Sequence, residues 1–354
     1  MMDNAMSKVI QFLRLPLMVT IVMIHAYIKE YDISNPEIPY SFMGAVQYFF
    51  SNIVSQVAIP MFFCFSGYLF FAKMQRLDGQ TYWNKLKSRF HSLLVPYVIW
   101  NLLYVFIYYV AQATSLMPAD LSGKHKLVVD YTLYDWLSVF WNIHGGLFPM
   151  DAPLWFIRDL MLAVLLAPLL YFCLTKLKYW FVFLLGALWF CGISGQVLSS
   201  ATFFYFSLGA YYGIYKKSMI VSGKIGGVLL VVYALCMALE MYFYDGEYIA
   251  YFRRLCVIVG IYATLFLTDY LIRVKSWKIS HFWSDSSFFI YAYHAVFLVM
   301  LQKCCFLFVS FQDEYGALCV YFFSVACAVC LGAVLNWLLK KMLPRVASVL
   351  LGER

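Results

Sequence analysis

The chain has 354 residues, of which 64% are hydrophobic, 20% aromatic and 12% charged, where a soluble domain carries about 25% charged residues. Its 26 Lys and Arg and 18 Asp and Glu are too few to coat a soluble core of this size, so an ordinary globular domain is excluded and a bilayer is the expected solvent. The formal net charge of +8 comes from short basic clusters between apolar runs, not from one basic stripe, which excludes nucleic acid as a partner and leaves membrane lipids.

Runs long enough to cross about 30 Å of hydrocarbon, which takes about 20 helical residues, fall in chain order at 9–28, 43–72, 92–113, 153–174, 179–198, 200–215, 225–244, 254–272, 287–308 and 316–339. The expectation is an all-α bundle of about ten transmembrane helices forming a single membrane domain over 1–354. The first run contains Arg14 and is followed by Lys29-Glu30, with no small-residue cleavage site, so it is expected to remain as a helix. With the N-terminus inside, inner segments gather 18 of the 26 basic residues and outer segments seven, Arg14 lying within the first span. Both termini are therefore expected in the cytoplasm. The longest connection, 114–152, lies outside on this topology; it carries an aromatic stretch from Tyr131 to Trp141 and ends on Gly145-Gly146 and Pro149. The ten cysteines show no metal-ligand spacing and behave as small hydrophobes.

Ionisable side chains inside a span cost on the order of 3 kcal/mol on insertion scales, so each is a candidate for function. In the first span Arg14 and His25 are eleven residues apart. Eleven steps of about 100° make three turns plus about 20°, which puts both side chains on one face about 16 Å apart along the axis. Arg14 alone is accounted for by snorkelling to lipid phosphates; the pair on one face points to a cavity with a cation at its inner end and a proton carrier at its outer end. Between the second and third spans an expected cytoplasmic loop carries Lys85, Lys87 and Arg89. Positive-inside topology explains them, and so does attraction of a phosphate-rich donor. At the outer end of the fourth span stands Pro153-Leu154-Trp155-Phe156-Ile157-Arg158-Asp159. Adjacent on a helix, Arg158 and Asp159 are expected to seek partners elsewhere, Glu240 being a candidate for Arg158, either as a fold-specifying ion pair or in binding an acceptor. In the ninth run Ser287, Tyr291 and His294 form a polar strip, suited to cross-linking helices or to carrying a proton.

Four segments in order resemble the acyltransferase-3 family of bacterial membrane O-acyltransferases: Arg14-x10-His25, Phe65-Ser66-Gly67-Tyr68-Leu69, Leu154-Trp155-Phe156, and Ser287 through His294. They cover about residues 10–295, most of the chain. The family commonly places an Arg-x-x-Arg pair before Pro96-Tyr97; here Arg89 matches the first and Ser92 stands at the second. The resemblance implies a multi-pass protein of the bacterial cytoplasmic membrane. It moves an acyl group, acetyl or another short acyl, from cytoplasmic acyl-CoA as co-substrate to a hydroxyl of a glycan, lipid-linked sugar or small metabolite, with no bound cofactor and no metal. It implies His25 as the base that deprotonates the hydroxyl, with Arg14, Lys85, Lys87 and Arg89 holding the donor or, for Arg14, stabilising negative charge. Ser66, Tyr68, Trp155, Arg158, Tyr291 and His294 would shape the site. An acyl-histidine relay is the alternative route. A transporter or flippase is the alternative activity, and a sensor that has lost turnover is a third.

Overall fold

A computed structural model of the chain describes residues 4–114, 126–141, 148–195, 199–221, 223–246, 248–310 and 312–353. Among these residues there is no strand, and the architecture is the expected all-α membrane bundle. Gly145 and Gly146 lie outside the described residues.

The first span is one unbroken helix, α1 (Asn4–His25), despite Pro16. The second is a continuous 31-residue run, Phe42–Ala72, assembled from α2 (Phe42–Tyr48), a π-helical turn at Phe49–Val54, a short 3₁₀ turn, and α3 (Ala58–Ala72). Ser41 starts it by accepting a hydrogen bond from the Gly44 amide. The third run, Gly79–Ala113, joins α4 (Gly79–Arg89) through a second π-helical turn to α5 (Val95–Ala113). The basic stretch expected as a loop is therefore helical, because Asp78 caps its start by accepting from the Thr81 amide and nothing between Gly79 and Arg89 breaks a helix. In the long connection, α6 (Leu133–Ser138) is a six-residue helix fixed by a capping box between Thr132 and Asp135.

Among the described residues, seven helical stretches are long and apolar enough to cross a membrane, or eight if a bent pair counts as one span, against the ten expected. The bent pair is α7 (Trp155–Leu165) and α8 (Ala167–Leu177), meeting at 62°; Pro168 sits in the first turn of α8, where its ring is tolerated but cannot continue the preceding helix. The run expected over 179–198 stops early as α9 (Tyr179–Phe190), since Gly192 takes a left-handed conformation (φ +74°) that closes the helix. The next, α10 (Ser200–Ile214), has 15 residues, about 22 Å at 1.5 Å per residue. Then follow α11 (Gly223–Tyr242), α12 (Ile249–Arg273), the four-residue α13 (His281–Ser284), α14 (Ser287–Phe306), α15 (Glu314–Met342) and α16 (Pro344–Leu351).

The chain divides into two compact units. The larger runs through Arg76, then Leu169–Gly195 and Ser199–Trp337; the smaller takes Leu77–Pro168 and the chain from Leu338 onward. Within the larger unit α3 and α10 cross at backbone contact. A Cβ on Gly67 would strike the Phe206 carbonyl, and one on Gly209 the Cys64 carbonyl, so the glycine of Phe65-Ser66-Gly67-Tyr68-Leu69 is required by helix packing, as small residues are at close membrane crossings. Lys216 donates from Nζ to the Ala72 carbonyl at 2.6 Å and the Met74 carbonyl at 2.7 Å, meeting carbonyls that the end of α3 leaves without helical partners. In the smaller unit α16 packs on α5, where Trp100 Nε1 donates to the Leu350 carbonyl at 3.1 Å. Gly352 there lies against the backbone of Ser92.

Candidate active site

The site begins with how α1 ends. Its last turn presents carbonyls that have no intrahelical donor, and polar side chains from other helices of the larger unit take them up. Ser51 Oγ donates to the Met23 carbonyl at 2.7 Å, Gln302 Nε2 donates to the Ala26 carbonyl at 2.7 Å, and Gln47 clamps Ile28 from both sides, accepting from its amide at 3.1 Å and donating to its carbonyl at 3.0 Å. Ser51 belongs to the π-helical turn of the second run and also lies 2.7 Å from the Tyr321 hydroxyl. Such a turn re-aims side chains away from the regular helical positions and recurs at functional sites. Sequence reading missed Gln47, Ser51 and Gln302; uncharged polar residues inside apolar runs were the available signal.

The residue held by this grip is His25. His25 is exposed as a residue, and its ring makes no hydrogen bond among the described residues. Its centroid lies 5.0 Å from that of His294, edge to face at 62°. His294 is fully buried on α14, with Nδ1 2.7 Å from the Tyr291 carbonyl and 3.1 Å from the Ile290 carbonyl. Carbonyl oxygens only accept, so Nδ1 carries the proton and Nε2 keeps a lone pair. That Nε2 is buried and has no partner among the described residues. Two histidines 269 positions apart in sequence are thus neighbours, one open to reactants and the other a locked, single-tautomer acceptor behind it.

The other expected residues of the larger unit take distinct places. Arg14 is exposed on the same continuous helix and has no ionic or hydrogen-bonding partner among the described residues, so the one-face relation with His25 stands as the helix repeat dictates. Ser66 is committed to its own helix, donating to the Phe62 carbonyl at 2.8 Å. Tyr68 and Tyr291 are buried, and Tyr291 contributes through its carbonyl. Ser287 donates to the Ser284 carbonyl at 2.9 Å.

In the smaller unit Lys85, Lys87 and Arg89 ride on α4. Lys85 and Arg89, four apart, share a face; Lys87 points away and sits 5.6 Å above the Trp83 ring. Trp155 opens the first turn of α7. Arg158 corrects an expectation, because it does pair with its neighbour: Nε and a terminal nitrogen lie 3.0 and 2.9 Å from Asp159 Oδ1. The long arginine chain folds back across the 100° step that separates adjacent positions. Its other terminal nitrogen donates to the Trp141 carbonyl at 2.8 Å, and its guanidinium stacks 5.0 Å from the Trp141 ring. Glu240 instead pairs with Arg253, one turn into the following helix, at 2.6 Å. Before α7, Asp151 is fully buried, its amide donating to Asn101 Oδ1 at 2.9 Å; burial pushes its carboxyl well above the ordinary range, with a hydrogen bond from Tyr104 acting the other way.

An acyltransferase-domain family profile matches residues 8–337. The succinoglycan biosynthesis protein ExoH of Rhizobium meliloti (strain 1021) is 25% identical over 365 residues, covering 100% of this chain and 94% of that protein. No solved structure matches. The profile takes in α1 with its exposed histidine, the glycine crossing and the helix carrying the buried histidine, and over that length the chain belongs to the acyltransferase-3 family.

Proposed function

We propose that this protein transfers an acyl group from acyl-CoA, bound from the cytoplasmic side, to a hydroxyl of a cell-envelope polysaccharide, with His25 as the general base. The observation that carries the reading is the ring of His25, without a hydrogen bond among the described residues, set against the buried, tautomerically fixed His294. The polysaccharide acceptor is suggested by the relative's part in succinoglycan biosynthesis. The inner-side basic excess supports a bacterial inner-membrane topology with both termini cytoplasmic.

The chemistry follows from the residues. His25 takes the hydroxyl proton as the oxygen attacks the thioester carbonyl, and returns it to the departing thiolate when the carbon–sulfur bond breaks. An alcohol is otherwise barely ionised at neutral pH, so a base in contact with it supplies most of the nucleophile's activation. As His25 becomes charged, the bare Nε2 of His294 can accept a hydrogen bond from the ring or from a water between them, fixing its orientation. Arg14, about 16 Å along the helix, is too far to touch the reacting carbonyl and serves the donor's phosphate end, a long flexible arm away from its thioester. Lys85 and Arg89, sharing a face of α4, supply positive charge of the kind that attracts a phosphate-rich donor.

Protein reconstituted in lipid vesicles with labelled acyl-CoA and a polysaccharide acceptor is expected to produce O-acyl ester and free coenzyme A thiol in equal amounts. Movement of the acceptor across the membrane with no donor present and no ester formed would replace this reading with transport.

A further inference from the structure

Two residues beyond His25 the chain enters a polar cavity of about 480 Å³ within the larger unit, inside the range of about 300–1,000 Å³ typical of small-molecule sites. Tyr27 lines it, and its Cα lies within about 7 Å of that of His25, the reach of two residues. The walls come from the turn after α1, the end of α2 with the π-helical turn, and the α11–α12 connection with the start of α12.

The lining offers complementary groups in place and partly unused. Asp32 receives the Tyr27 hydroxyl at 2.8 Å, the Ser34 hydroxyl at 2.6 Å and the Ser34 amide at 3.0 Å, all on Oδ1; Oδ2 has no partner among the described residues. Burial pushes this carboxyl up, but the bonds from Ser34 and Tyr27 outweigh it and hold Asp32 below the ordinary range, so at neutral pH it accepts only. Arg253 spends Nε on Glu240 at 2.6 Å and one terminal nitrogen on the Tyr48 hydroxyl at 2.7 Å, leaving the other without a partner among the described residues. Glu240 is fully buried and also takes Gln56 at 2.9 Å, so the guanidinium is anchored from behind. Tyr244 packs edge-on against Tyr48, centroids 5.9 Å apart, which holds an aromatic ring at the cavity wall. Asp245 and Asn52 add an exposed carboxylate and an amide.

We infer that this cavity, two residues along the chain from His25, is the acceptor subsite, binding one neutral pyranose ring of the glycan. A sugar ring presents adjacent hydroxyls, each a donor and an acceptor, and apolar C–H faces. The spare Asp32 oxygen accepts from one hydroxyl, the spare Arg253 nitrogen donates to its neighbour, the exposed Asp245 carboxylate accepts from a further hydroxyl, and Tyr244 meets the C–H face. The inference rests on the acyl-transfer reading for what the sugar is there to do; its binding is measurable without a donor.

The experiment titrates the full chain in lipid nanodiscs, free of alkyl-glycoside detergent, with methyl pyranosides of gluco, galacto and manno configuration, following saturation-transfer NMR. At least one is expected to bind saturably, and Tyr244→Leu and Asp245→Asn are each expected to weaken it tenfold or more. Asp245 is exposed and makes no hydrogen bond among the described residues, so its variant folds even if the tyrosine change does not. No saturable binding by any glycoside, or equal binding by Asp245→Asn and a folded Tyr244→Leu, overturns the inference. Sugar binding in a protein that transfers no acyl group contradicts the catalytic reading alone. Transfer to polysaccharide by a protein that binds no pyranoside here contradicts the subsite alone.

Discussion

Replacing His25 with alanine separates the chemistry from the fold. The imidazole makes no hydrogen bond among the described residues, and its edge-on contact with His294 at 5.0 Å is of a kind worth about 0.5–1.5 kcal/mol. Losing it lowers the thermal midpoint by no more than about 6 °C at about 2–4 °C per kcal/mol. The reaction loses more, because a positioned general base contributes about 10²–10⁴-fold, or about 3–5 kcal/mol at about 1.36 kcal/mol per decade. The assay measures kcat for labelled acyl-CoA turnover with acceptor, beside the thermal midpoint of the same preparation. His25→Ala is expected to lose at least about a hundredfold in kcat and to remain folded. His294→Asn keeps an N–H for the Tyr291 carbonyl but deletes the bare Nε2, and is expected to lose about tenfold, with no further loss when added to His25→Ala, as groups acting as one unit behave. An unchanged kcat in folded His25→Ala refutes the base assignment.

Gly67→Ala is expected to destabilise the protein by about 1–3 kcal/mol or more, because the obstacle is the Phe206 carbonyl, which is backbone and cannot rotate away; thermal unfolding in nanodiscs reads it. Arg253→Met strands the buried Glu240 and should cost about 3 kcal/mol, with Glu240→Gln in the same chain recovering part of the loss. Asp151 has a folded-state pKa above its unfolded value, so its contribution to stability is complete below about pH 3.9, the unfolded value, and is lost as pH rises through the folded pKa. Asp151→Asn removes that titration. It is expected to raise the thermal midpoint relative to wild type at pH 8 and to lose that advantage at pH 4.

The membrane class was legible from composition, since no soluble shell can be built from so few charges, and the all-α fold from the length of the apolar runs. So was the Arg14/His25 relation, which needs only an unbroken helix and its repeat. The pairing of His25 with His294 was not, because each shows in sequence only as one polar residue in an apolar run and the contact is made by packing across 269 positions. Arg158 shows why adjacency misleads: side-chain length, which helical-wheel reasoning ignores, lets it reach Asp159. The span boundaries failed where one residue decided the matter, at Pro168 and at Gly192, inside stretches whose hydrophobicity gave no warning. Lys85 to Arg89 read as a loop because polarity was taken as the absence of structure, when the Asp78 cap before them starts a helix.

The most direct test of the account uses sealed vesicles of one orientation, with labelled acyl-CoA supplied only at the face bearing Arg14's end of α1 and a polysaccharide acceptor only at the face bearing His25. Label is predicted to appear as ester on the acceptor, in wild type and not in His25→Ala. Label that remains entirely with the thioester while the protein is folded, or ester formed equally well without His25, would contradict it.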